Sequence, residues 1–429
     1  MPTTSTAFQL SQRARRTGSS PISHLMAEAI YNPGVISLAA GFVDGHTLPA
    51  AETAQLMERV LSDTAQGRLP RQYDTTKGRA DLRRLLVDHL AALDGVSPAE
   101  LDASPDDVVI TNGSQQLLFI LTDILVDPGD IVICGWPSYF VYTGALATFG
   151  AQVRGVAMDA DGMIPEALDE TLAHLARSGD LPRVKIVYIV DYHQNPTGIT
   201  LSEARRPRIL EIVQRYSAQH RILLMEDAAY RELTFEGEPP PSIKRFDEGN
   251  ETVALLQTFS KPFAPGVRTG YGLLPRDLVD PVVLQKGNHD FGSSHLNQHL
   301  VKAAMESGLY AEHVKSLCAA YATKRDALLA ALDRHLGDFE PDATHWTRPT
   351  GGMYVWLTLP DRFDTGRDGP LFSAAVAEGV LYVPGAFCYG PDPTRDVPTN
   401  QMRVSFGLAT AEQIEEGVAR LARAIRSVG

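Results

Sequence analysis

The sequence predicts an α/β fold, with a large domain built on a mostly parallel sheet between helices and a smaller α+β domain. Short apolar and β-branched runs recur through the middle of the chain. Each run is apolar throughout, as expected for parallel strands that are covered on both faces. Amphipathic stretches such as 114–126 and 202–220 lie between the runs, and this alternation is typical of α/β proteins. The predicted strands are 107–111, 131–134, 185–190, 222–226 and 253–258.

The last hundred residues follow a different pattern. A long helical stretch over 312–336 leads to short strands at 353–357 and 401–406, and a final helix covers 411–426. We expect the N-terminal segment to pack with this part, which makes the small domain discontinuous. The first twenty residues are rich in Ser, Thr and Arg and predict a mobile arm that becomes ordered near His24. The predicted divisions are an arm at 1–30, a small domain of 31–60 and 305–429, and a large domain of 61–304.

Composition excludes several classes of protein. The 429 residues include 52 Asp and Glu against 39 Lys and Arg, a formal net charge of −13. This balance disfavours nucleic-acid binding and gives no basic surface for anionic lipid. No apolar run approaches the roughly 18 residues of a membrane span. Cys134, Cys318 and Cys388 are far apart and form no CxxC motif, so neither a disulfide framework nor a zinc site is predicted, and the expected location is the cytoplasm.

Polar residues follow five successive predicted strands. Ligands of open α/β sheets bind beyond the carboxyl ends of the strands, so these residues are expected to face one crevice. They include the start of a helix, an aromatic ring, an amide, a carboxylate, a phenol, a lysine and an arginine. In chain order the candidates are Gly113, Ser114, Gln115, Tyr139, Asn195, Asp227, Tyr230, Thr258, Ser260, Lys261 and Arg268.

This set of groups suits pyridoxal 5'-phosphate. Backbone N–H groups at a helix start, helped by hydroxyls and Arg268, bind a phosphate. Asp227 can pair with a pyridinium nitrogen, and Tyr139 can offer a face for a flat ring. Lys261 can form an imine with an aldehyde. The residues therefore predict a cofactor site centred on Lys261.

Four motifs in this order make the chain resemble the fold-type I, class I/II aminotransferases, from about Ile36 to the C-terminus. The motifs are Gln194-Asn195-Pro196-Thr197-Gly198, Asp227-Ala228-Ala229-Tyr230, Thr258-Phe259-Ser260-Lys261 followed by Pro265-Gly266-Val267-Arg268, and Arg403-Val404-Ser405-Phe406. The resemblance implies that Lys261 is the Schiff-base lysine and the base that moves the substrate proton. It also implies that Asp227 pairs with the ring nitrogen, and that Asn195 and Tyr230 donate hydrogen bonds to the ring phenolate.

The resemblance assigns further residues to the cofactor and the substrate. Tyr139 would stack on the ring, Arg403 would bind the substrate α-carboxylate, and the backbone at Gly41 would pass near the substrate together with Asn195. Tyr73 would reach the phosphate of a neighbouring subunit, which implies a homodimer with shared active sites. The phosphate cradle would consist of Gly113, Ser114, Gln115, Thr258, Ser260 and Arg268.

Three histidines, His289, His295 and His299, are close in sequence. His295 and His299 are four residues apart and can share a helix face, but the residues between them include no catalytic Glu, so no metal site is predicted. Because the resemblance places this region near the neighbouring subunit's active site, His289, Asp290 and residues Ser293 to His295 are instead candidates for shaping a substrate pocket.

The function implied is an aminotransferase that moves an amino group between an L-amino acid and a 2-oxo acid. The segments 351–356 and 383–385 favour the aminoadipate and kynurenine aminotransferase branch. An alternative is another reaction on the same cofactor: a lyase, a decarboxylase, an oxidase or a bond-forming synthase. A ligand-sensing, aminotransferase-like module of a transcription regulator is disfavoured, because only about 30 residues precede the family-like part and the chain is acidic.

Overall fold

The computed structural model describes residues 8–18, 34–62 and 67–429 of the chain. The ordering point expected near His24 lies outside these ranges. In the described part no helix is both long enough and apolar enough to cross a membrane. The helices are Gln12–Arg16 (α1), Ala50–Ser62 (α2), Ala80–Leu93 (α3), Ser114–Leu125 (α4), Phe140–Phe149 (α5), Pro165–Ser178 (α6), Arg205–Tyr216 (α7), Arg276–Asp290 (α8), His295–Glu306 (α9), Leu309–Leu336 (α10), Pro370–Ala377 (α11) and Ala411–Val428 (α12).

The strands form three sheets. They are Ile36–Ser37 (β1), Val108–Thr111 (β2), Ile131–Trp136 (β3), Gln152–Asp159 (β4), Gly162–Met163 (β5), Val184–Val190 (β6), Leu223–Asp227 (β7), Val253–Thr258 (β8), Gly270–Leu273 (β9), His345–Trp346 (β10), Tyr354–Thr358 (β11), Val380–Leu381 (β12), Val383–Pro384 (β13) and Gln401–Ser405 (β14).

The large sheet has eight strands in the order β2-β9-β8-β7-β6-β3-β4-β5. Its central strands β4, β3, β6, β7 and β8 run parallel, whereas β9 is antiparallel to both of its neighbours. The α/β fold with a mostly parallel sheet is therefore confirmed. The five predicted strands are all present, with ends that shift by one or two residues. Asp107, for example, lies before its strand, because its carboxylate accepts the Ser104 N–H at 2.9 Å in a capping turn.

Strands β4, β5 and β9 were not predicted. The burial of β4 is irregular, and its last residue is exposed, so it lacks a continuous apolar run. Two of the four residues of β9 are glycines, which have low strand propensity. Gly272 has a packing reason, because a Cβ atom there would lie 2.3 Å from Leu117 of α4. Strands β4 and β9 therefore depend on tertiary packing, and no local sequence pattern predicts them.

The C-terminal third forms a four-stranded antiparallel sheet in the order β10-β11-β14-β13, with α10 and α12 packed against each other. Helix α12 begins at a capping box made by Thr410 and Gln413. The N-terminal strand β1 pairs in parallel with β12, so residues 36–37 join the C-terminal third. A small domain made of the N-terminal segment and the C-terminal third requires such a pairing. The exact limits of the domains stay a prediction.

Candidate active site

The carboxyl ends of β2, β3, β6, β7 and β8 open into a cavity of about 290 Å³. It lies between the large sheet and the segment that follows β1. All but three of the residues predicted for the site line this cavity; the exceptions are Gly113, Tyr73 and Arg403. The predicted residues that line it are Gly41, Ser114, Gln115, Tyr139, Asn195, Asp227, Tyr230, Thr258, Ser260, Lys261 and Arg268.

One end of the cavity is suited to an anion. Helix α4 begins at Ser114 after Gly113, and no side chain of the described residues caps its first turn. Its first N–H groups therefore face the cavity with the positive end of the helix dipole. Gly113 has a φ of +80°, which glycine adopts without strain, and a Cβ atom there would lie 2.6 Å from the Arg268 guanidinium. Glycine is thus required for Arg268 to reach this helix start.

Hydroxyl groups complete the anion-binding end. The Arg268 guanidinium donates to Ser260 Oγ at 3.2 Å and to the Asn112 carbonyl at 3.3 Å. Thr258 Oγ1 lies 3.0 Å from Ser260 Oγ and accepts the Ser260 N–H at 3.1 Å. The arginine and the two hydroxyl groups are therefore held together before any ligand binds.

Lys261 occupies the middle of the cavity. Its Nζ atom donates to the Gly41 carbonyl at 2.8 Å and lies 6.0 Å from the centre of the Tyr230 ring. The Tyr230 hydroxyl is 3.1 Å from that of Tyr354, and burial together with this neighbour raises the pKa of Tyr230. Tyr230 therefore stays a neutral phenol that can donate a hydrogen bond.

Asp227 is buried at the end of β7. One carboxylate oxygen accepts the Tyr188 hydroxyl at 2.9 Å, and the other accepts the Ala229 N–H at 3.3 Å. Burial raises the pKa of this carboxyl to about 6, with a smaller contribution from the charge of Asp191, while both hydrogen bonds lower it. Asp227 can therefore be ionised at neutral pH, where a cationic partner in the cavity would stabilise it further.

Arg403 lies one layer behind the cavity wall and is 1% exposed. Its guanidinium donates to Asn195 Oδ1 at 2.8 Å and to the Ala39 carbonyl at 2.7 Å. Its Nε atom has no hydrogen-bond partner among the described residues. Because Asn195 Oδ1 is engaged, the amide NH₂ of Asn195 remains available to donate into the cavity.

Tyr73 is not part of the cavity. Its side chain is 79% exposed and packs edge-on against Phe291, with ring centres 5.1 Å apart. Phe291 is itself 60% exposed, and Leu69 nearby in sequence is also exposed. An exposed apolar cluster of this kind is typical of a surface that another protein covers.

The three histidines also lie outside the cavity lining. His295 Nε2 is 3.0 Å from an Arg79 nitrogen, and His299 contacts the same guanidinium. Burial and Arg79 lower the pKa of His299 to about 4. His289 Nδ1 lies 3.2 Å from the Gln116 amide. Over residues 8–18, 34–62 and 67–429, no three His, Cys, Asp or Glu side chains are grouped so as to hold a metal ion. A role in a substrate pocket stays a prediction.

Several residues of the site were missed. Tyr188 lies inside the predicted strand 185–190, in which residues 186–190 are otherwise aliphatic, and its hydroxyl was the available signal. Tyr354 follows the Gly351-Gly352 pair, but no local pattern indicates that it faces Tyr230. The apolar part of the cavity wall, for which the sequence gives no signal, consists of Phe42, Leu118, Val190, Ala229 and Pro265.

The residues present fit pyridoxal phosphate. An uncapped helix start with Arg268 offers donors to a phosphate. Asp227 is a buried carboxylate that lacks a cationic hydrogen-bond partner among the described residues. The Lys261 amine is held by a single backbone carbonyl. Each end of such a cofactor would therefore meet the group that its chemistry requires.

Replacing Asp227 with asparagine is expected to stabilise the cofactor-free protein at pH 8. Raising the pKa of a carboxyl from its ordinary 3.8 to about 6 costs about 3 kcal/mol once the group is ionised. The stability contributed by protonated Asp227 is present below about pH 4 and is lost as the pH rises through about 6. Asp227→Asn should therefore raise the free energy of unfolding in urea at pH 8 by up to about 3 kcal/mol, and much less near pH 4.5.

The exposed carboxylate Asp280 on α8 gives the matched control. Asp280→Asn removes a carboxylate that is exposed to water, so it should not give the gain in stability at pH 8 that Asp227→Asn gives. A gain for Asp227→Asn that is equal at pH 4.5 and pH 8 would contradict the expectation.

Replacing Gly41 with alanine is expected to disturb the Tyr230–Tyr354 pair. The added Cβ would lie 2.6 Å from the Tyr354 hydroxyl, and Tyr354 is only 1% exposed, so it has little room to move. Overpacking of this kind costs about 1–3 kcal/mol of folding stability. Because the displaced Tyr354 hydroxyl would also lose its contact with Tyr230, we expect kcat/KM to fall roughly tenfold. Gly45→Ala is the control, because its Cβ would meet nothing within 4 Å. Adding Tyr354→Phe to Gly41→Ala should restore part of the rate; no recovery would contradict the steric cause.

Comparison with known proteins identifies the family of the chain. The family model "Aminotransferase class I and II" matches residues 33–421. Aromatic-amino-acid aminotransferase 1 of Thermococcus litoralis is 34% identical over 99% of this chain and 96% of its own length. The 2-aminoadipate transaminase of Thermus thermophilus is 31% identical over 97% of this chain and 96% of its own length. A crystal structure of Pyrococcus horikoshii kynurenine aminotransferase, in complex with PMP, superposes with a TM-score of 0.87 at 32% identity, covering 98% of this chain and 97% of that one. The chain therefore belongs to the class I and II aminotransferases, whose cofactor is pyridoxal phosphate.

Proposed function

We propose that this protein is a transaminase in which Lys261, Asp227 and Tyr230 act on the reacting atoms and Arg403 binds the substrate. The observation that carries the proposal is the position of Lys261 Nζ in a cavity bounded by Asp227 and the uncapped start of α4. An amine, a buried carboxylate and an anion-binding helix start converge there although they lie far apart in the sequence.

Pyridoxal phosphate, when bound, supplies an aldehyde carbon for the substrate amino group and a ring that withdraws electrons from the substrate Cα. The chain's own residues provide the rest. Lys261 removes a proton from Cα and returns one to the adjoining carbon. Asp227 holds the proton of the ring nitrogen by hydrogen bonding and charge. The Asn195 amide and the Tyr230 hydroxyl donate to the ring oxygen, and Tyr139 offers an aromatic face.

Substrate binding is assigned to Arg403. Its guanidinium donates to the Ala39 carbonyl, and its Nε is buried and unpartnered among the described residues, so a substrate carboxylate that took the place of that carbonyl would give the Nε donor a partner. A carboxylate can accept two parallel hydrogen bonds from a guanidinium group.

The relatives named above act, by their names, on aromatic amino acids, 2-aminoadipate and kynurenine. We accordingly propose α-amino acids with large side chains as the donors and 2-oxo acids as the acceptors.

A half-reaction assay tests the proposal. The protein loaded with pyridoxal phosphate is mixed with one amino acid at a time, and the 2-oxo acid and the aminated cofactor are measured by mass. Aromatic amino acids, kynurenine and 2-aminoadipate are compared with alanine and aspartate. Equal molar amounts of 2-oxo acid and aminated cofactor are expected from at least one of the large donors.

Other products separate this proposal from its competitors on the same cofactor. Ammonia, carbon dioxide, an alkene or hydrogen peroxide as the main product would mean a lyase, a decarboxylase or an oxidase, and would contradict transamination. A preference for alanine or aspartate would retain transamination but contradict the proposed donors.

A homodimer with shared sites is part of the proposal. The exposed pair of Tyr73 and Phe291 supports it, because a second copy of the chain would cover this apolar surface. If Tyr73 serves the neighbouring site, Lys261→Ala in one subunit and Tyr73→Ala in the other damage the same site of a mixed dimer and leave its second site intact. Unfolding and refolding the two variants together should then give activity above that of either alone, up to about one quarter of wild type. No recovery in dimers of confirmed mixed composition would contradict sharing.

The proposed location is the cytoplasm, and the proposed role lies in amino acid metabolism, including biosynthesis. The three cysteines are free, and two of them, Cys134 and Cys388, are buried. Free thiols of this kind suit a reducing compartment. Fractionation of the native cells with an antibody to the protein tests the location.

A further inference from the structure

Asp227 receives a hydrogen bond from Tyr188, a residue with no assigned role. Tyr188 lies on β6, beside β7, which carries Asp227 at its end. It is completely buried, and its hydroxyl donates to Asp227 Oδ2 at 2.9 Å. The other carboxylate oxygen accepts only the longer Ala229 bond at 3.3 Å. Tyr188 therefore provides the better-formed of the two hydrogen bonds that orient this carboxylate.

The Tyr188 ring is itself held in place. Its centre lies 4.3 Å from that of Tyr142 on α5, with the ring planes tilted by 46°. Tyr142 is fully buried, and its hydroxyl lies 2.9 Å from Thr122 Oγ1 on α4. Thr122 Oγ1 donates in turn to the Leu118 carbonyl at 2.8 Å. Packing from two helices thus fixes the direction in which the Tyr188 hydroxyl points.

We infer that Tyr188 is a positioning residue whose hydroxyl group holds the Asp227 carboxylate in the orientation that the proposed function needs. The inference rests on that function, because the orientation matters only if Asp227 serves a ring nitrogen. A phenol that pointed elsewhere, or a phenylalanine in its place, would leave Oδ2 buried without this donor. An unpaired buried carboxylate oxygen carries the full cost of its desolvation.

The same bond affects the ionisation of Asp227. Burial raises the pKa of Asp227 to about 6, and donation by Tyr188 opposes that rise. Near this carboxyl lie Asp191, whose charge raises its pKa, and the phenols Tyr188, Tyr139 and Tyr142, which are neutral and exert no charge on it. Of these, only Tyr188 donates a hydrogen bond to it among the described residues. Losing that hydroxyl should therefore protonate Asp227 at a higher pH.

Tyr188→Phe tests the inference, with Tyr142→Phe as the matched control. Both changes remove one buried phenolic hydroxyl from the same aromatic pair, but only the first hydroxyl contacts a carboxylate. The Asp227 titration is followed by NMR of the full-length, cofactor-free protein labelled with [4-¹³C]aspartate, and Asp227→Asn assigns the signal. We expect the pKa of Asp227 to rise by about 1 or more in Tyr188→Phe, which corresponds to a roughly tenfold higher proton affinity. In Tyr142→Phe the pKa of Asp227 should stay unchanged.

A second substitution keeps the test decisive if Tyr188→Phe does not fold. Incorporation of 3-fluorotyrosine at position 188 retains the shape and makes the hydroxyl a stronger donor, so the pKa of Asp227 should fall rather than rise. An unchanged Asp227 titration in both the phenylalanine and the fluorotyrosine proteins would overturn the inference. Equal rises in Tyr188→Phe and Tyr142→Phe would also overturn it, since the effect would then come from packing.

A parallel measurement separates this inference from the proposed function. Pyridoxal phosphate is added to each protein, and its dissociation is followed by dialysis. We expect dissociation about tenfold faster from Tyr188→Phe than from wild type or Tyr142→Phe. If the wild-type protein fails to bind pyridoxal phosphate, the proposed function fails while the NMR titration still decides the role of Tyr188. If binding is tight and equal in all three proteins, the function stands and the positioning role is wrong.

Discussion

Lys261→Ala is expected to lower the rate of the half-reaction by roughly 10³-fold or more, because it removes both the amine that binds the cofactor covalently and the base that moves the substrate proton. Among the described residues that line the cavity, Lys261 is the only one with an amine. Single-turnover measurement of 2-oxo acid formation gives the rate. Reduction with borohydride followed by peptide mass analysis locates the covalent bond, which should lie on Lys261 in the wild-type protein.

Two comparisons separate chemistry from folding. Lys315→Ala removes an exposed lysine of α10 and should leave rate and labelling unchanged. A small primary amine added to Lys261→Ala should restore part of the rate, since it can enter the space that the side chain vacates. Retention of turnover and of a reducible cofactor bond in Lys261→Ala would contradict the assignment.

Arg403→Ala is expected to weaken binding of the amino donor and to lower kcat/KM by about 10²- to 10³-fold. Truncating one partner of a buried, hydrogen-bonded charge pair costs about 2–5 kcal/mol, and the substrate carboxylate would lose its partner. The loss should appear mainly in KM. Arg403→Lys should recover little, because an ammonium group cannot form the two parallel bonds of a guanidinium.

The neighbours of Arg403 require one further control. Its guanidinium also fixes the Asn195 amide at 2.8 Å, so a loss of rate could come through Asn195. An amine with the donor's side chain but no carboxylate distinguishes the two causes. It should react slowly and at the same rate with wild type and Arg403→Ala if Arg403 acts on the carboxylate. A donor KM that is unchanged in Arg403→Ala would contradict the role.

The residues that line the cavity could largely be predicted from the sequence, because parallel strands present their carboxyl ends at one edge of a sheet. Once the apolar runs before Asn195, Asp227 and Lys261 are recognised as strands, the residues after them must meet. That argument needs no knowledge of loops or of side-chain directions. It therefore identified the amine, the carboxylate and the anion-binding helix start in advance.

Other features depend on contacts that no local pattern encodes. Arg403 was expected at the cavity, but it lies behind Asn195 and donates to Ala39, more than 350 positions away along the chain. Tyr73 was expected to contact a phosphate, yet it is exposed in a single chain. Its predicted role depends on a second subunit, which the sequence implies only through family resemblance.

The sequence by itself determined the α/β fold and the identity of the cofactor, and it predicted the residue on which the cofactor would be held. The physical reason is that strands buried on both faces are apolar along their whole length, and that parallel strands bring their carboxyl ends to one edge of the sheet. Only the tertiary structure decided which groups form hydrogen bonds with the site residues. Tyr188 bonds to Asp227, Tyr354 to Tyr230, and the Gly41 carbonyl to Lys261. These contacts join residues that are 39, 124 and 220 positions apart, and packing of side chains, rather than any repeat in the sequence, sets their geometry.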